Sequence, residues 1–248
     1  MAAVLAFNSQ AVLAAEASLQ TADSAHAQSL AGSFTEAERT AIEGIVHDYL
    51  VNHPEVMYEV MAKLEQDQRN KAQALLEETA EMLRTDKLTP SRGSAGAKHY
   101  LIEFYDYNCG YCKVVRELTE KLASEHQMQA VYIEFPILSP ESVQAAMAGL
   151  ALYQLQPEKY FLYQKDLMEQ GKKVTSIDDI KAAVERAGAD WDAVREKAQS
   201  PEVQQQLKHN LEIGQRLGIT GTPFFIIDGK VLRGAVRDYA ALEGMLEP

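Results

Sequence analysis

The feature that most constrains this chain is its pair of cysteines, the only two in 248 residues, which stand three positions apart. Cys109 and Cys112 enclose the loop residues Gly110 and Tyr111. A disulfide across so short a loop removes little entropy from the unfolded chain, so it would be a weak structural staple. A structural zinc site usually needs four Cys or His ligands, and only one pair is present. The spacing favours a reversible, redox-active dithiol; a metal-only site and inert thiols are the alternatives.

The segments around the cysteines predict a strand–loop–helix–strand unit. Residues 99–105 are apolar and β-prone, a helical pattern begins at the cysteines, and residues 129–135 predict a second strand. Cys109 is therefore expected at a helix N-terminus, where free backbone N–H groups and the helix dipole stabilise an anion. This predicts a lowered pKa and a nucleophilic role for Cys109. Cys112, one helical turn later, is expected to be shielded and to resolve the mixed disulfide, with the loop between them tuning the balance.

Helical patterns dominate the chain after the second strand. They are predicted over residues 140–156, 157–169, 177–187 and 203–217, with a short helix starting at 190–191. A strand then opens at Thr222-Pro223, the turn Asp228-Gly229 leads into a partner strand, and a last helix is predicted over 236–246. About a hundred residues separate the cysteines from this strand, far more than a single βαβ return of about 30 residues needs.

Amphipathic helical patterns also precede the cysteines, over residues 34–88. Residues 35–38 form a capping-box pattern that opens one helix, and Asn52-His53-Pro54 ends it and begins another. The apolar stripes over 42–50 and 56–64 are too thin to bury each other within so short a segment. We expect them to pack against another copy of the chain, with packing on the chain's own catalytic domain as the alternative.

The remaining segments complete the predicted domain organisation. Residues 1–33 are small, apolar and then Ala/Ser/Gln-rich, which predicts a signal-peptide remnant followed by a disordered spacer. Residues 89–97 hold Pro, Gly, Ser and Thr and predict a linker before a catalytic domain over 98–248. The formal net charge of −12 argues against a nucleic-acid partner, which would need a basic surface.

Two of these motifs together resemble a known family. Residues 104–112, followed far downstream by Gly221-Thr222-Pro223-Phe224, resemble the DsbA-like branch of the thioredoxin superfamily over roughly residues 98–248. The resemblance implies an α/β thioredoxin fold with a helical domain inserted at about 138–212. Residues 49–56 are similar to the amino-terminal module of the suppressor-of-copper-sensitivity C (ScsC) group, several of whose members are oligomeric isomerases. This implies an α-helical N-terminal oligomerisation module before the thioredoxin fold.

The resemblance also implies roles for individual residues. Cys109 matches the attacking cysteine and Cys112 the resolving one. Thr222 and Pro223 match a cis-proline loop that faces the dithiol and binds the substrate backbone as an added strand. Glu103, six positions before Cys109, matches a buried acidic residue that would shuttle a proton to or from the cysteines. The alternative for Glu103 is an ordinary surface-facing strand residue.

These observations predict a periplasmic thiol–disulfide oxidoreductase of secreted proteins. Isomerase or reductase activity is the first expectation and dithiol oxidation the second. A copper-sequestering protein that uses the same thiols as soft Cu(I) ligands is an alternative of a different class, and a scaffold or chaperone built on the helical module is another. The expected partners are proteins with cysteines or disulfides, a membrane redox partner and further copies of the chain, as a dimer or trimer. Neither a cofactor nor a resident metal is predicted.

Overall fold

The structure is a computed structural model that describes residues 34–246. The signal-peptide remnant and spacer predicted for residues 1–33 lie outside the described residues. The chain divides into two units between Gln68 and Arg69.

The first unit is helical. Helix α1 spans Glu36–Asn52, and helix α2 spans Pro54–Thr85, beyond the division between the units. The predicted capping box is present, because the Thr35 side chain accepts from the Glu38 backbone and the Glu38 carboxylate accepts from the Thr35 N–H at 2.7 Å. Within residues 36–52 no side chain is buried. The predicted apolar stripes are exposed on both helices, at Ile42, Ile45, Val46, Tyr49, Met57, Val60, Met61 and Leu64.

The last part of α2 belongs to the second unit, which corrects the predicted module boundary at residue 88. Leu76, Ala80 and Leu83 are buried and pack in one core cluster with Ile102 and Phe104 of the sheet. Packing on the chain's own catalytic domain, the alternative for the N-terminal helices, therefore describes this part of α2. The seven consecutive polar residues 65–71 interrupt the apolar stripe, and the division between the two units falls within this stretch.

The second unit contains a five-stranded sheet in the order β1-β3-β2-β4-β5. Strands β2 and β3 are parallel and every other pair is antiparallel. The strands are β1 Ser91–Arg92, β2 Tyr100–Tyr105, β3 Gln129–Glu134, β4 Phe224–Ile227 and β5 Lys230–Arg233. The predicted hairpin between β4 and β5 is confirmed, since Asp228 and Gly229 both have positive φ angles, 46° and 75°.

Strand β1 corrects the linker predicted over residues 89–97. Ser91 and Arg92 pair with Val131 and Ala130 at the edge of the sheet, and the Tyr132 N–H donates to the Pro90 carbonyl at 2.8 Å. Two residues are too few to give a period-two hydrophobic pattern, so the sequence shows only the Pro and Gly that bound the strand.

The helices of the second unit confirm the inserted helical domain. Helix α3, Gly110–Glu125, follows β2 after a loop over residues 106–109, and the cysteine motif lies at its start. Five helices lie between β3 and β4: α4 Pro140–Leu155, α5 Pro157–Leu167, α6 Ile177–Arg186, α7 Trp191–Ala198 and α8 Pro201–Arg216. The closing helix α9, Tyr239–Glu243, is shorter than the predicted 236–246. One core cluster joins both cysteines to apolar residues of α4–α8, so the insertion packs directly behind the motif.

Replacing Gly214 with Ala should destabilise the second unit. A Cβ at this position of α8 would lie 2.1 Å from Cε2 of the Phe135 ring, so the buried ring would have to move. We expect a loss of about 1–3 kcal/mol in the free energy of unfolding, as for other overpacked cores. Urea denaturation would measure it, with the exposed neighbour Gln215→Ala as the matched control. Equal stabilities of the two variants would contradict the close packing seen here.

Candidate active site

The two cysteines lie at the start of α3, as predicted. Cys109 is the N-cap residue and Cys112 lies in the first turn; both are free thiols, 4% and 0% exposed. The Cys112 backbone N–H donates to the Cys109 sulfur at 3.3 Å. The Cys109 thiol in turn donates to the Thr222 carbonyl oxygen, also at 3.3 Å. The peptide bond between Thr222 and Pro223 is cis, as the resemblance implies. The fold thus brings together residues that are more than a hundred positions apart.

The surroundings push the pKa values of the two thiols in opposite directions. A hydrogen bond from the Cys112 thiol is the main cause that lowers the pKa of Cys109 to about 6, and the backbone N–H groups of Cys112 and Tyr111 act in the same direction. Burial raises the pKa of Cys112, and the neighbouring Cys109 and Glu103 raise it further. Cys109 is therefore the thiol that can ionise near neutral pH, which is the property of a nucleophilic cysteine.

Glu103 lies on β2 and is buried, which excludes the surface-facing alternative. Its side chain is 3% exposed, and its Oε1 atom has no hydrogen-bond partner among the described residues. Burial raises the pKa of Glu103 to about 8, while Arg116 opposes this effect and Cys109 adds to it. A carboxyl group with this pKa can hold or release a proton near neutral pH, and its charge is felt by both cysteines.

The loop residues between the cysteines face outwards. Gly110 is exposed, and Tyr111 is 66% exposed. Tyr111 can therefore contact a molecule that approaches Cys109.

The loop before Cys109 is anchored by Asp106, which sequence reasoning missed. The buried Asp106 carboxylate accepts from the backbone N–H groups of Asn108, Ile137 and Leu138 at 2.7, 2.9 and 3.0 Å, and from the Ser142 hydroxyl at 2.6 Å. These four bonds fix the end of β2 against the start of the inserted helices. The sequence signal was an acidic residue directly after an apolar strand.

A second buried carboxyl, Glu134 on β3, was also missed. Its Oε1 atom accepts from the hydroxyls of Tyr105, Tyr107 and Tyr160 at 2.5, 2.7 and 3.1 Å, while Oε2 has no partner among the described residues. Burial raises the pKa of Glu134 to about 8. A Cβ at Gly149 of α4 would lie 2.8 Å from this Oε1 atom, so glycine leaves the room that the cluster occupies. The cluster joins the residues that precede the cysteine motif to the inserted helices.

The described residues 34–246 also bear on metal binding and on membrane insertion. No group of three or more Cys, His, Asp or Glu side chains there is arranged to hold a metal ion. In the same residues, no helix is long and apolar enough to cross a bilayer. What the described site offers is a thiol with a lowered pKa, a shielded second thiol and a buried proton-holding carboxyl, the groups needed for exchange at sulfur.

Two family models match the chain. The model of the DSBA-like thioredoxin domain matches residues 100–244. The model of the copper resistance protein ScsC N-terminal domain matches residues 38–71, which covers α1 and the first part of α2.

Solved structures agree with these matches. Proteus mirabilis ScsC in a transitional conformation is 28% identical with a TM-score of 0.63, covering 86% of this chain and 97% of that one. The thiol–disulfide exchange protein alpha-DsbA2 from Wolbachia pipientis is 26% identical with a TM-score of 0.65, covering 72% and 95%. A periplasmic thioredoxin-like protein from Salmonella enterica serovar Typhimurium is 27% identical with a TM-score of 0.60, covering 66% and 91%.

Alkylation should distinguish the two thiols. With a pKa of about 6, Cys109 should react with iodoacetamide in mildly acidic solution, whereas the buried Cys112 should not. Mass-spectrometric mapping of the label identifies the modified thiol, and preferential labelling of Cys112 would refute the assignment.

The same pKa sets a pH dependence of stability. Because folding lowers the pKa of Cys109 from about 9 to about 6, its thiolate stabilises the reduced protein fully above about pH 9, and this stabilisation disappears as the pH falls through about 6. The difference in unfolding free energy between the reduced wild type and Cys109→Ser should therefore grow from about pH 6 to about pH 8. A difference that stays constant over this range would contradict the lowered pKa.

Proposed function

Because the chain belongs to the DsbA-like thioredoxin family and is a thiol–disulfide oxidoreductase, we propose that it is an oligomeric disulfide isomerase or reductase of secreted proteins in the periplasm. The observation that carries the chemistry is the Cys109 thiol with its lowered pKa, held between the N-terminus of α3 and the Thr222 carbonyl. A low thiol pKa supplies the attacking thiolate near neutral pH, and it stabilises the reduced dithiol, the form in which an isomerase begins its reaction.

The reaction begins with the Cys109 thiolate. It attacks one sulfur of a substrate disulfide, so a bond between Cys109 and that sulfur forms while the substrate bond breaks and the other sulfur leaves as a thiolate. In isomerisation a substrate thiolate then attacks the mixed disulfide, and Cys109 is released with no net change of oxidation state. In reduction Cys112 attacks instead, which leaves a Cys109–Cys112 disulfide and a reduced substrate.

The resolving step needs a proton acceptor, and Glu103 is the group we assign to it. The burial that raises the pKa of Cys112 leaves this thiol protonated until it reacts. Glu103 has a pKa of about 8 and interacts electrostatically with both cysteines, so a modest change in its surroundings alters its protonation. The Cys109 charge that helps to raise the pKa of Glu103 is absent in the mixed disulfide, so more of the carboxyl group is then ionised. The ionised carboxylate takes the proton when Cys112 becomes the attacking thiolate and returns it in the reverse reaction.

The Thr222-Pro223 loop is assigned to substrate binding. The Thr222 carbonyl oxygen lies at the Cys109 sulfur, 3.3 Å away. A substrate segment that pairs with the Thr222 backbone as an added strand would bring its own sulfur to Cys109.

Self-association through the N-terminal helices is the basis for preferring isomerisation. The apolar stripes of α1 and α2 are exposed, and residues 38–71 match the N-terminal domain of ScsC. A second copy of the chain would bury these stripes in a symmetric dimer or trimer. Several Cys109 thiolates in one assembly raise the effective concentration of attacking groups around one substrate, which favours repeated reshuffling. The periplasmic compartment is supported by the Salmonella neighbour.

Glu103→Gln should separate activity from stability. Because folding raises the pKa of Glu103 from 4.5 to about 8, the wild type loses stability as the pH rises between these values, by up to about 1.4 kcal/mol per pH unit. The Gln variant lacks this loss, so it should be more stable than wild type at neutral pH but slower in the Cys112 step. Urea unfolding and stopped-flow oxidation test both effects. The exposed Glu117→Gln on α3 is the control, and a variant with wild-type stability and rate would remove Glu103 from the mechanism.

A double substitution on the stripes should test the oligomer. Ile45→Gln with Met61→Gln replaces two exposed apolar side chains in the full-length protein. We expect the wild type to be a dimer or trimer by light scattering. The variant should dissociate at a protein concentration at least about tenfold higher than the wild type does, and it should lose activity on scrambled ribonuclease.

The control for this variant is Glu43→Gln with Glu59→Gln, which introduces the same residue at polar positions of the same helices. It should keep the wild-type assembly. A monomeric wild type, or a monomeric variant with undiminished isomerase activity, would end this part of the proposal.

A further inference from the structure

A groove beside the cysteine motif has no part in the mechanism above. It has a volume of about 570 Å³. Tyr111 and Val114 of α3 form one wall, and residues 170–173, between α5 and α6, form the other. Tyr111 is 66% exposed and Val114 is 41% exposed, so the first wall offers apolar surface. Asn108 and Gly110, the residues on either side of Cys109 in the chain, also line the groove, so it lies beside the nucleophile.

The second wall is tied to the cysteine motif at two points. The buried Lys113 ammonium, directly after Cys112, donates to the carbonyls of Leu167 and Lys172 at 2.8 and 2.5 Å. Asn108, directly before Cys109, accepts from the Val174 N–H at 2.9 Å and donates to the Val174 carbonyl at 3.0 Å. The segment is therefore held in place relative to the nucleophile by the residues that flank the motif.

The charge in the groove is positive. Among the described residues that line it, the charged side chains are Lys113, Lys172 and Lys173, and none is acidic. The Lys172 ammonium pairs with Asp166 at 2.9 Å, and Asp166 also binds Arg186 at 2.7 Å. Lys173 is exposed, and within residues 34–246 its ammonium has neither a hydrogen bond nor an ion pair. It thus places an unpaired cation in the groove beside the cysteine motif, in a chain whose net charge is −12.

We infer that this groove is a subsite for an acidic side chain next to the reacting cysteine of a protein substrate, and that Lys173 is the residue that determines this preference. Tyr111 contacts the apolar part of the same substrate segment. The inference rests on the proposed exchange reaction and adds the substrate class. The ion pair between Lys173 and the acidic substrate side chain would be exposed to solvent. It therefore acts mainly on the rate of association, and salt weakens it.

The test uses the reduced full-length protein and three peptide disulfides. The residues next to the cysteine are Glu in the first peptide, Gln in the second and Lys in the third. Each rate is divided by the rate of the same peptide with dithiothreitol, which also attacks as a thiolate but carries no cationic group, to remove differences in intrinsic reactivity. At low ionic strength we expect the Glu peptide to react about three- to tenfold faster than the Gln peptide, and the Lys peptide to react more slowly. The difference should shrink at about 0.5 M salt.

Substitutions then assign the preference to one residue. Lys173→Gln should bring the Glu/Gln rate ratio close to one, and Lys173→Glu should invert it. The matched control is Lys208→Gln on α8, an exposed lysine outside the residues lining the groove, which should keep the wild-type ratio. Equal rates for the Glu and Gln peptides, or an unchanged ratio in Lys173→Gln, would overturn the subsite alone. Failure of the wild type to react with any of the peptides would overturn the exchange reaction and the subsite with it.

Discussion

The hydrogen bond from the Cys112 N–H to the Cys109 sulfur, 3.3 Å long, is the contact around which the catalytic unit is arranged. It requires Cys109 to sit at the N-cap of α3, and that position requires the preceding loop to turn sharply after β2. Asp106 fixes this turn with four hydrogen bonds, three of them from backbone N–H groups. The Cys109 thiol also donates to the carbonyl of Thr222, which lies two residues before β4, and β4 is held beside the motif because it pairs with β2. The register of the sheet and the capping of α3 thus both determine the position of the Cys109 sulfur.

Two buried carboxyl groups of the second unit, Glu103 and Glu134, both have a pKa of about 8 although their surroundings differ. Glu103 lacks a partner for Oε1 and interacts with the cysteines, whereas three tyrosine hydroxyls surround one oxygen of Glu134. Burial dominates in both, so both are largely protonated at neutral pH. Among these three groups, the Cys109 thiol therefore ionises at the lowest pH. The two carboxyl groups are then mostly neutral, so they do not repel its negative charge strongly. Burying carboxyl groups with raised pKa values lowers the free energy of unfolding at neutral pH, a cost that proteins accept at functional sites.

The sequence predicted the elements whose signals are local. The cysteine spacing and the strand before it placed Cys109 at a helix N-terminus, and the capping box, the Asp228-Gly229 turn and the helical periods gave bounds within a few residues of those observed. Strand β1 was missed because two residues carry no period. Glu134 was missed because its tyrosine partners come from β2, the loop after it and α5. Lys113 and Asn108 were missed as clamps because their partners lie 54 to 66 positions away. The sequence pattern of one segment cannot reveal the role of a residue whose hydrogen-bond partners lie far away in the chain.

Gly149 has a consequence for how this site can vary between relatives. A side chain there would occupy the space of the Glu134 carboxyl, 2.8 Å from a Cβ, and would also crowd the Tyr107 hydroxyl at 3.0 Å. Substitutions at positions 149 and 134 are therefore coupled, because a larger residue at 149 is compatible only with a smaller residue at 134. Relatives that keep the glutamate should keep the glycine, and those that lose one should have lost the other, so the two positions are expected to covary in an alignment of the family.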